Sequence, residues 1–187
     1  MNTTPPELQQ VLEQADCLYT GKEVRAALDR LADDIRADLG DRNPLLICIM
    51  NGGLVTMGQL LTRLNFPLQT NYLHATRYRG ATKGEAVVEW IKFPVRSVGG
   101  RHILLVDDIL DEGHTLKVVK QWCENQGAAS VKVALLAEKL HQRRVEGLQC
   151  DYSVLQVPDR YVFGFGMDYC EYWRNADGIY ALNTEQT

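Results

Sequence analysis

The chain has 187 residues, of which 45% are apolar and 24% are charged. These proportions are ordinary for a globular protein and exclude disorder or a fibrous repeat for the whole chain. The net charge of −4 argues against a protein whose main task is to grip a nucleic-acid backbone, because such proteins are usually basic. The longest apolar run, Leu45–Met50, is too short to span a bilayer. Five cysteines without a CxxC pair favour free thiols in a reducing compartment, so we expect one cytoplasmic domain with no membrane partner.

The apolar periodicity predicts the elements in chain order. Helical spacing covers 8–18 and 24–39, and Gly40 is the expected C-cap of the second helix. Short apolar runs, typical of buried strands, then alternate with helical segments. Strands are predicted at Leu45–Met50, 70–74, 86–93, 102–107 and 130–136, helices at 54–64 and 113–126, a loop at 77–85, and short strands and turns after Gly147. This order predicts an α/β fold with a mainly parallel sheet.

Two predicted strand ends carry the most informative residues. Open parallel sheets bind their ligands beyond the carboxyl ends of the strands. One such end reads Met50-Asn51-Gly52-Gly53, and the other begins at Asp107. Both are therefore candidate binding segments. The alternative for the first is a simple strand-to-helix turn, because glycine pairs are frequent in turns.

The second strand end combines acidic groups with a phosphate-binding pattern. Adjacent carboxylates at Asp107 and Asp108 are costly beside a buried strand unless they face hydroxyls or a divalent cation. Gly113 allows close approach of the backbone to a ligand, and Thr115 with the free N–H groups of a helix start suits a phosphate. Together they point to a sugar phosphate. The alternative is that the Asp and Thr residues only cap a helix.

The run from Ile103 to Leu116 resembles the phosphoribosyl-pyrophosphate motif of type I phosphoribosyltransferases. Both read as apolar residues, two acids, two apolar residues, Asp, a small or acidic residue, Gly, a variable residue and Thr. Glu112 stands where many relatives have Thr or Ser. The resemblance implies a single domain over 1–187, with a mainly parallel central sheet flanked by helices at about 40–150. It also implies a small hood built from about 1–20 and 151–187.

The segment Met50-Asn51-Gly52-Gly53 resembles the pyrophosphate loop of hypoxanthine-guanine phosphoribosyltransferases. In that family the peptide bond before the position of Asn51 is often cis, and many relatives carry Lys at that position. The resemblance implies that phosphoribosyl pyrophosphate is bound by Asn51, Gly52, Gly53, Asp107, Asp108, Asp111, Glu112, Gly113, His114, Thr115 and Arg174.

The C-terminal run 157–174 resembles the purine-binding segment of the same family. The resemblance places the ring of Tyr161 on the purine face and the backbone of Val162 at its exocyclic edge. It makes Asp168 a magnesium-associated carboxylate at the purine site and gives Arg174 a pyrophosphate contact. Leu136-Ala137-Glu138-Lys139 resembles the family's Leu-x-Asp-Lys, whose lysine binds the 6-oxo oxygen of the base. A lysine donor there disfavours a 6-amino base, because the two donors would face each other.

The segment 76–80 falls where the family has a mobile catalytic loop, usually centred on Ser-Tyr. Arg77 replaces the serine here, and Tyr78 is kept. A polar loop containing glycine suits a lid that excludes water. An ordinary exposed hairpin loop is the alternative.

The resemblance implies purine salvage: transfer of 5-phosphoribosyl to hypoxanthine or guanine, giving IMP or GMP plus pyrophosphate. It implies Mg²⁺ as the cofactor, with Asp107, Asp108 and Asp168 as metal-site residues. It makes Asp111 the catalytic residue near purine N7, either as a general base or by stabilising charge. It also implies a homodimer or homotetramer. Two alternatives stay open, namely the same fold acting on xanthine and a non-catalytic RNA-binding regulator, although the acidic chain gives no reason to expect nucleic acid.

Overall fold

The structure, a computed structural model, describes residues 6–77 and 88–183. The helices are α1 (Pro6–Gln14), α2 (Gly21–Leu39), α3 (Gly53–Leu61) and α4 (His114–Asn125). The strands are β1 (Asp16–Thr20), β2 (Leu45–Met50), β3 (Gln69–Arg77), β4 (Val88–Lys92), β5 (His102–Leu110), β6 (Ser130–Lys139), β7 (Tyr152–Val157), β8 (Val162–Phe163) and β9 (Gly178–Ala181). None of the helices in this part of the chain is long and apolar enough to cross a membrane.

The main sheet has six strands in the order β4-β3-β2-β5-β6-β7. Every neighbouring pair is parallel except β3 and β4, which form an antiparallel hairpin pair. This confirms the predicted α/β fold, and the strand predicted at 86–93 is confirmed over Val88–Lys92. Residues 86 and 87 lie outside the described part of the structure. Strand β5 is longer than predicted, because its pairing with β6 continues past the two aspartates to Leu110 opposite Glu138.

Helices cover both faces of the sheet, which explains the continuous apolar runs of its central strands. Alternate residues of β2 point to opposite faces. Leu46 packs in one buried cluster with Leu31 and Ile35 of α2. Ile47 packs in a second cluster on the other face with Val119 of α4. The sheet is thus a central layer, and its carboxyl edge stays open between the helices.

A small second sheet, which we call the hood, joins the two ends of the chain. Its order is β1-β9-β8 and both pairings are antiparallel. The predicted helix over 8–18 is therefore wrong beyond Gln14, because residues 16–20 form β1. Pairing with β9 and packing of Leu18 and Tyr19 against the main core outweigh the local helical spacing.

One further boundary differs from the expected one, and one confirmed helix cap has an unexpected backbone conformation. β7 belongs to the main sheet, so the C-terminal part of the hood begins after Val157 and not at residue 151. Gly40 does cap α2, and its N–H donates to the carbonyl oxygen of Arg36 at 3.0 Å. Its φ of −56° is right-handed, so this cap does not use the left-handed conformation that favours glycine.

Asp38 links α2 to strands β6 and β7 of the main sheet. Its carboxylate accepts hydrogen bonds from the Lys132 ammonium and the Tyr152 hydroxyl. These two bonds lower the pKa of Asp38, and partial burial opposes them only weakly. A carboxylate whose folded pKa is depressed stabilises the fold above its unfolded pKa, and it loses that contribution as the pH falls through the folded pKa.

We therefore expect Asp38→Asn to lower the free energy of unfolding at pH 7 by about 1 kcal/mol, the usual scale of such a hydrogen bond. The deficit should shrink as the pH falls below about 3.9, the ordinary Asp value. Urea unfolding between pH 7 and pH 3 measures it. Asp33→Asn is the matched control, because Asp33 pairs only at the surface, with 71% of its side chain exposed. A deficit that is constant with pH would contradict the ionic role of Asp38.

Candidate active site

The carboxyl ends of the central strands open into a cavity of about 480 Å³ beneath the hood. A second cavity of about 300 Å³ adjoins it along the segment from Ile109 to Leu116 and shares Asp107, Asp111 and Thr115. The larger cavity is lined by the following predicted site residues: Gly52, Asp107, Asp108, Asp111, Thr115, Lys139, Tyr161, Val162, Asp168 and Arg174. The smaller one adds Glu112, Gly113 and His114.

Among the predicted residues whose side chains or backbone the structure describes, Asn51 and Gly53 do not line either cavity. Asn51 is exposed beside the larger cavity, and Gly53 is buried behind it. Arg77 ends β3, and its side chain is outside the described part of the structure. Tyr78 lies outside the described residues as well, so the predicted mobile loop stays a prediction.

The loop after β2 lies tightly against the end of β5. The Met50–Asn51 peptide bond is cis, as the family resemblance implied. A Cβ on Gly52 would lie 2.3 Å from Oδ2 of Asp108, and one on Gly53 would lie 2.5 Å from the carbonyl oxygen of Val106. Both glycines are therefore required by the closeness of β5. They hold the backbone of this loop directly beside the acidic pair.

Asp107 and Asp108 form an acidic pair at the cavity wall. The Asp108 N–H donates to Oδ1 of Asp107 at 3.0 Å, and the Ile109 N–H donates to Oδ1 of Asp108 at 2.6 Å. Burial raises the pKa of both carboxyl groups, and the charge of Asp108 raises that of Asp107 further. A positive partner placed beside these two carboxyl groups would favour their ionised form.

This acidic pair fits a Mg²⁺ ion that is shared with a substrate. Within residues 6–77 and 88–183, no group of three or more His, Cys, Asp or Glu side chains is arranged to hold a metal. Asp168, the third predicted metal residue, instead pairs with Arg174 at 2.8 Å. Mg²⁺ usually takes one or two carboxylates and completes its shell with water and substrate phosphates. The donors present suit that mode and not a metal cage made by the protein alone.

The segment after β5 turns into α4 and forms a cradle of backbone N–H groups. Gly113 is the N-cap residue of α4 with φ +85°, a left-handed conformation that favours glycine. His114 and Thr115 occupy the first turn, where N–H groups have no partner within the helix. The Glu112 carboxylate lies 3.5 Å from Nε2 of His114 and 4.0 Å from Nε of Arg143. Its negative charge at the cradle is thus faced by basic groups.

Asp111 has both of its carboxylate oxygens bonded. Nζ of Lys139 lies 2.6 Å from Oδ2, and Nε2 of His141 lies 2.6 Å from Oδ1. Partial burial raises the pKa of Asp111, but the hydrogen bonds from Lys139 and His141 and the charge of Lys139 outweigh it, so the pKa lies below its usual range. His141 is absent from the predicted site. The signal that could have found it is its position two residues after Lys139, which in an extended chain puts both side chains on one face.

The hood supplies the other wall of the larger cavity. The Tyr161 ring is 43% exposed and meets the Tyr169 ring edge-on, with centroids 5.7 Å apart. Val162 is paired to Ala181 in the hood sheet. Arg174 is held by Asp168 and by a 2.9 Å hydrogen bond to the carbonyl oxygen of Gly166. The Tyr161 ring and the Arg174 guanidinium therefore line the same cavity as the residues at the strand ends.

The sequence of residues 14–170 matches the family model of the phosphoribosyl transferase domain. The chain therefore belongs to the phosphoribosyltransferase family. A curated relative is the hypoxanthine-guanine phosphoribosyltransferase of Streptococcus pneumoniae, strain R6. It is 32% identical over 168 residues, which cover 90% of this chain and 93% of the relative. The enzyme of the same name from Streptococcus agalactiae is 30% identical over the same shares.

Solved structures agree with this assignment. A hypoxanthine phosphoribosyltransferase from Staphylococcus aureus superposes with a TM-score of 0.87 over 98% of both chains at 24% identity, which bears on the fold alone. A mutant hypoxanthine phosphoribosyltransferase from Trypanosoma cruzi, in complex with the product IMP, has a TM-score of 0.83 and 27% identity. It covers 92% of this chain and 94% of that one. The resemblance to the hypoxanthine-guanine branch and the type I fold are thereby confirmed.

Proposed function

We propose that this chain transfers the 5-phosphoribosyl group from phosphoribosyl pyrophosphate to hypoxanthine or guanine. The products are IMP or GMP and pyrophosphate. One observation carries the proposal: a single cavity brings together the acidic pair Asp107 and Asp108, the start of α4, and the bonded pair Asp111 and Lys139. The relatives named hypoxanthine-guanine phosphoribosyltransferase support it.

Lys139 and Asp111 form a complementary site for one edge of a 6-oxopurine. The donor Nζ and the acceptor Oδ2 lie 2.6 Å apart, as close as two neighbouring groups on a base edge. The 6-oxo oxygen accepts from Lys139, and N7 lies at Asp111 when the base enters between them. Adenine presents an amino donor at that position, which would leave Lys139 facing another donor. Tyr161 then provides the face on which the ring stacks.

The phosphoribosyl half of the site has its own set of residues. Asp107 and Asp108 bind the ribose hydroxyls, and the N–H groups from Gly113 to Thr115 bind the 5-phosphate. The loop at Asn51–Gly53 and Arg174 bind the pyrophosphate. Asp107 and Asp108, with Asp168 on the same cavity, would hold Mg²⁺, and the bound ion would supply positive charge that neutralises the pyrophosphate leaving group.

In the reaction the bond from C1 to the pyrophosphate oxygen breaks, and the bond from C1 to purine N9 forms. Asp111 either takes a proton from the base or stabilises positive charge on the ring. In the unliganded protein the hydrogen bonds from Lys139 and His141 hold the pKa of Asp111 below its usual range, so the carboxylate is a weak base before the purine enters.

A spectrophotometric panel tests the proposed function. The protein is mixed with phosphoribosyl pyrophosphate and Mg²⁺, and hypoxanthine, guanine, xanthine, adenine or uracil is added singly, with a control lacking the metal. We expect metal-dependent formation of IMP and GMP without AMP. Turnover of adenine, or of xanthine alone, would overturn the base assignment. No turnover of any base would overturn the enzymatic proposal and make RNA binding the next measurement.

The base assignment predicts a specific effect of Lys139→Ala. We expect KM for hypoxanthine and guanine to rise by about tenfold or more, the scale of one lost hydrogen bond to a charged group. KM for phosphoribosyl pyrophosphate should change little. Steady-state kinetics with each substrate varied separately measures both, and Lys92→Ala, an exposed position at the end of β4, is the matched control. An unchanged base KM would remove Lys139 from the purine site.

The proposal includes a homodimer or homotetramer and a cytoplasmic location, both implied by the family resemblance. Light scattering after size-exclusion chromatography measures the first. A monomer with full activity would contradict it.

A further inference from the structure

We propose that His141 is a positioning residue for Asp111, which holds one oxygen of the carboxylate and leaves the other for the base. This inference rests on the proposed function and adds to it a residue that the family motifs in this chain do not include. Its basis is three hydrogen bonds at the end of β6 and just after it: Lys139 and His141 each bond one oxygen of Asp111, and the Arg143 N–H bonds His141.

The hydrogen bonds assign the tautomer of His141. The backbone N–H of Arg143 donates to Nδ1 of His141 at 3.0 Å. A backbone N–H can only donate, so Nδ1 is the unprotonated, accepting nitrogen and the proton of the neutral ring is on Nε2. Nε2 lies 2.6 Å from Oδ1 of Asp111. His141 therefore donates to the carboxylate as a neutral imidazole.

The imidazole is held firmly in this orientation. Its side chain is only 3% exposed, against 45% for Asp111. The guanidinium of Arg143 binds both carboxylate oxygens of Asp159, at 2.6 and 2.7 Å. Because Asp159 lies two residues before Tyr161, this ion pair ties the backbone that orients His141 to the start of the hood. A two-point Arg–carboxylate contact fixes geometry as well as distance.

The two groups that donate hydrogen bonds to Asp111 behave differently when the base binds. Lys139 occupies Oδ2, and in the proposed function it turns to the 6-oxo oxygen when the base enters. His141 is buried and already bonded at both ring nitrogens, so it stays on Oδ1. The carboxylate then cannot swing away when Lys139 leaves it. Catalysis depends on such fixed orientation of the reacting groups.

Variants at His141 separate positioning from packing. His141→Phe keeps a buried ring but removes the donor, and we expect kcat/KM for hypoxanthine to fall about tenfold, the effect of one hydrogen bond to a charged group. In His141→Gln the side-chain nitrogen is the same number of bonds from Cβ as Nε2, so this variant should recover most of the loss. His141→Asn is too short to reach Asp111 and should not. Binding of phosphoribosyl pyrophosphate, followed by calorimetry, should be unchanged in all three.

His102→Phe is the matched control. His102 lies at the other end of β5 and bonds Ser130 at 2.8 Å, so its loss should leave kcat/KM unchanged. Equal activity in wild type and His141→Phe, or equal loss in the Phe and Gln variants, would overturn the positioning role.

A measurement without turnover keeps this inference distinct from the proposed function. Nitrogen NMR of the protein, which has four histidines, reports the tautomer of each ring. We expect the Nε2–H tautomer for His141 and a shift of its Nε2 signal in Asp111→Asn. An Nδ1–H tautomer, or a ring that does not respond to Asp111→Asn, would overturn the contact itself. If the wild type turns over no base while the NMR result holds, the proposed function fails and the contact stands.

Discussion

Asp111→Asn is expected to lower kcat by about 10²- to 10⁴-fold, the range by which general acid–base groups contribute. The amide has the shape of the carboxylate and can keep a contact with His141, but it has no charge and takes no proton. Phosphoribosyl pyrophosphate should bind with a dissociation constant near that of the wild type, because Asp107, Asp108 and the start of α4 are unchanged. Steady-state kinetics and calorimetry with Mg²⁺ present measure the two quantities.

Asp33→Asn makes the same chemical change on the surface of α2 and should leave kcat unaltered. Equal losses of turnover and of phosphoribosyl pyrophosphate binding would place Asp111 on the phosphoribosyl side of the site. An unchanged kcat would remove it from the chemistry. The selective result would support its place beside purine N7.

Gly52→Ala is expected to weaken phosphoribosyl pyrophosphate binding and turnover by about 100-fold, because a displacement of about 1 Å at a site can have that effect. Its added Cβ would lie 2.3 Å from Oδ2 of Asp108, so the loop or the carboxylate must move. The loop also has little room to move, because the backbone of Gly166 packs closely against it. A Cβ on Gly166 would lie only 2.4 Å from the carbonyl oxygen of Gly52. Calorimetry with phosphoribosyl pyrophosphate and Mg²⁺ measures the binding.

Gly58→Ala is the matched control for this variant. Gly58 lies in α3, a few residues along, and a Cβ there meets nothing within 4 Å. This change should leave binding intact and raise the free energy of unfolding by about 1 kcal/mol, the helix preference of Ala over Gly. If Gly52→Ala bound the substrate as well as Gly58→Ala, the close packing of the loop on Asp108 would not matter for function.

Local patterns predicted the parts of the fold in which one physical effect dominates. The strand Leu45–Met50 has the predicted bounds. A continuous apolar run is typical of a strand that is covered on both faces, so the run itself marks the strand. The helix over 24–39 begins three residues early, at Gly21, where Thr20 and Glu23 form a capping box. The strand at residues 16–20 could not be predicted from local patterns, because its partner strand lies more than 150 residues further along the chain.

In the candidate site too, local motifs predicted some features and the tertiary structure decided others. The motif from Asp107 to Thr115 could be recognised because acids, glycine and threonine at a strand end are adjacent in the chain, so their spacing alone places them together. The identities of Asp111 and Lys139 could also be proposed from motifs. Their contact could not, because it depends on β5 and β6 being neighbours in the sheet.

The chain's own order of residues thus determined the α/β class, the two binding segments at strand ends and the family. Those features depend on the spacing of polar and apolar residues, which can be read from any short stretch of the sequence. Only the tertiary structure decided that Asp168 pairs with Arg174, that Gly52 lies against Asp108, and that His141 bonds Asp111. The contacts of Gly52 and His141 join segments that the folding of the sheet brings together, and the distances in all three contacts follow from packing that no local pattern encodes.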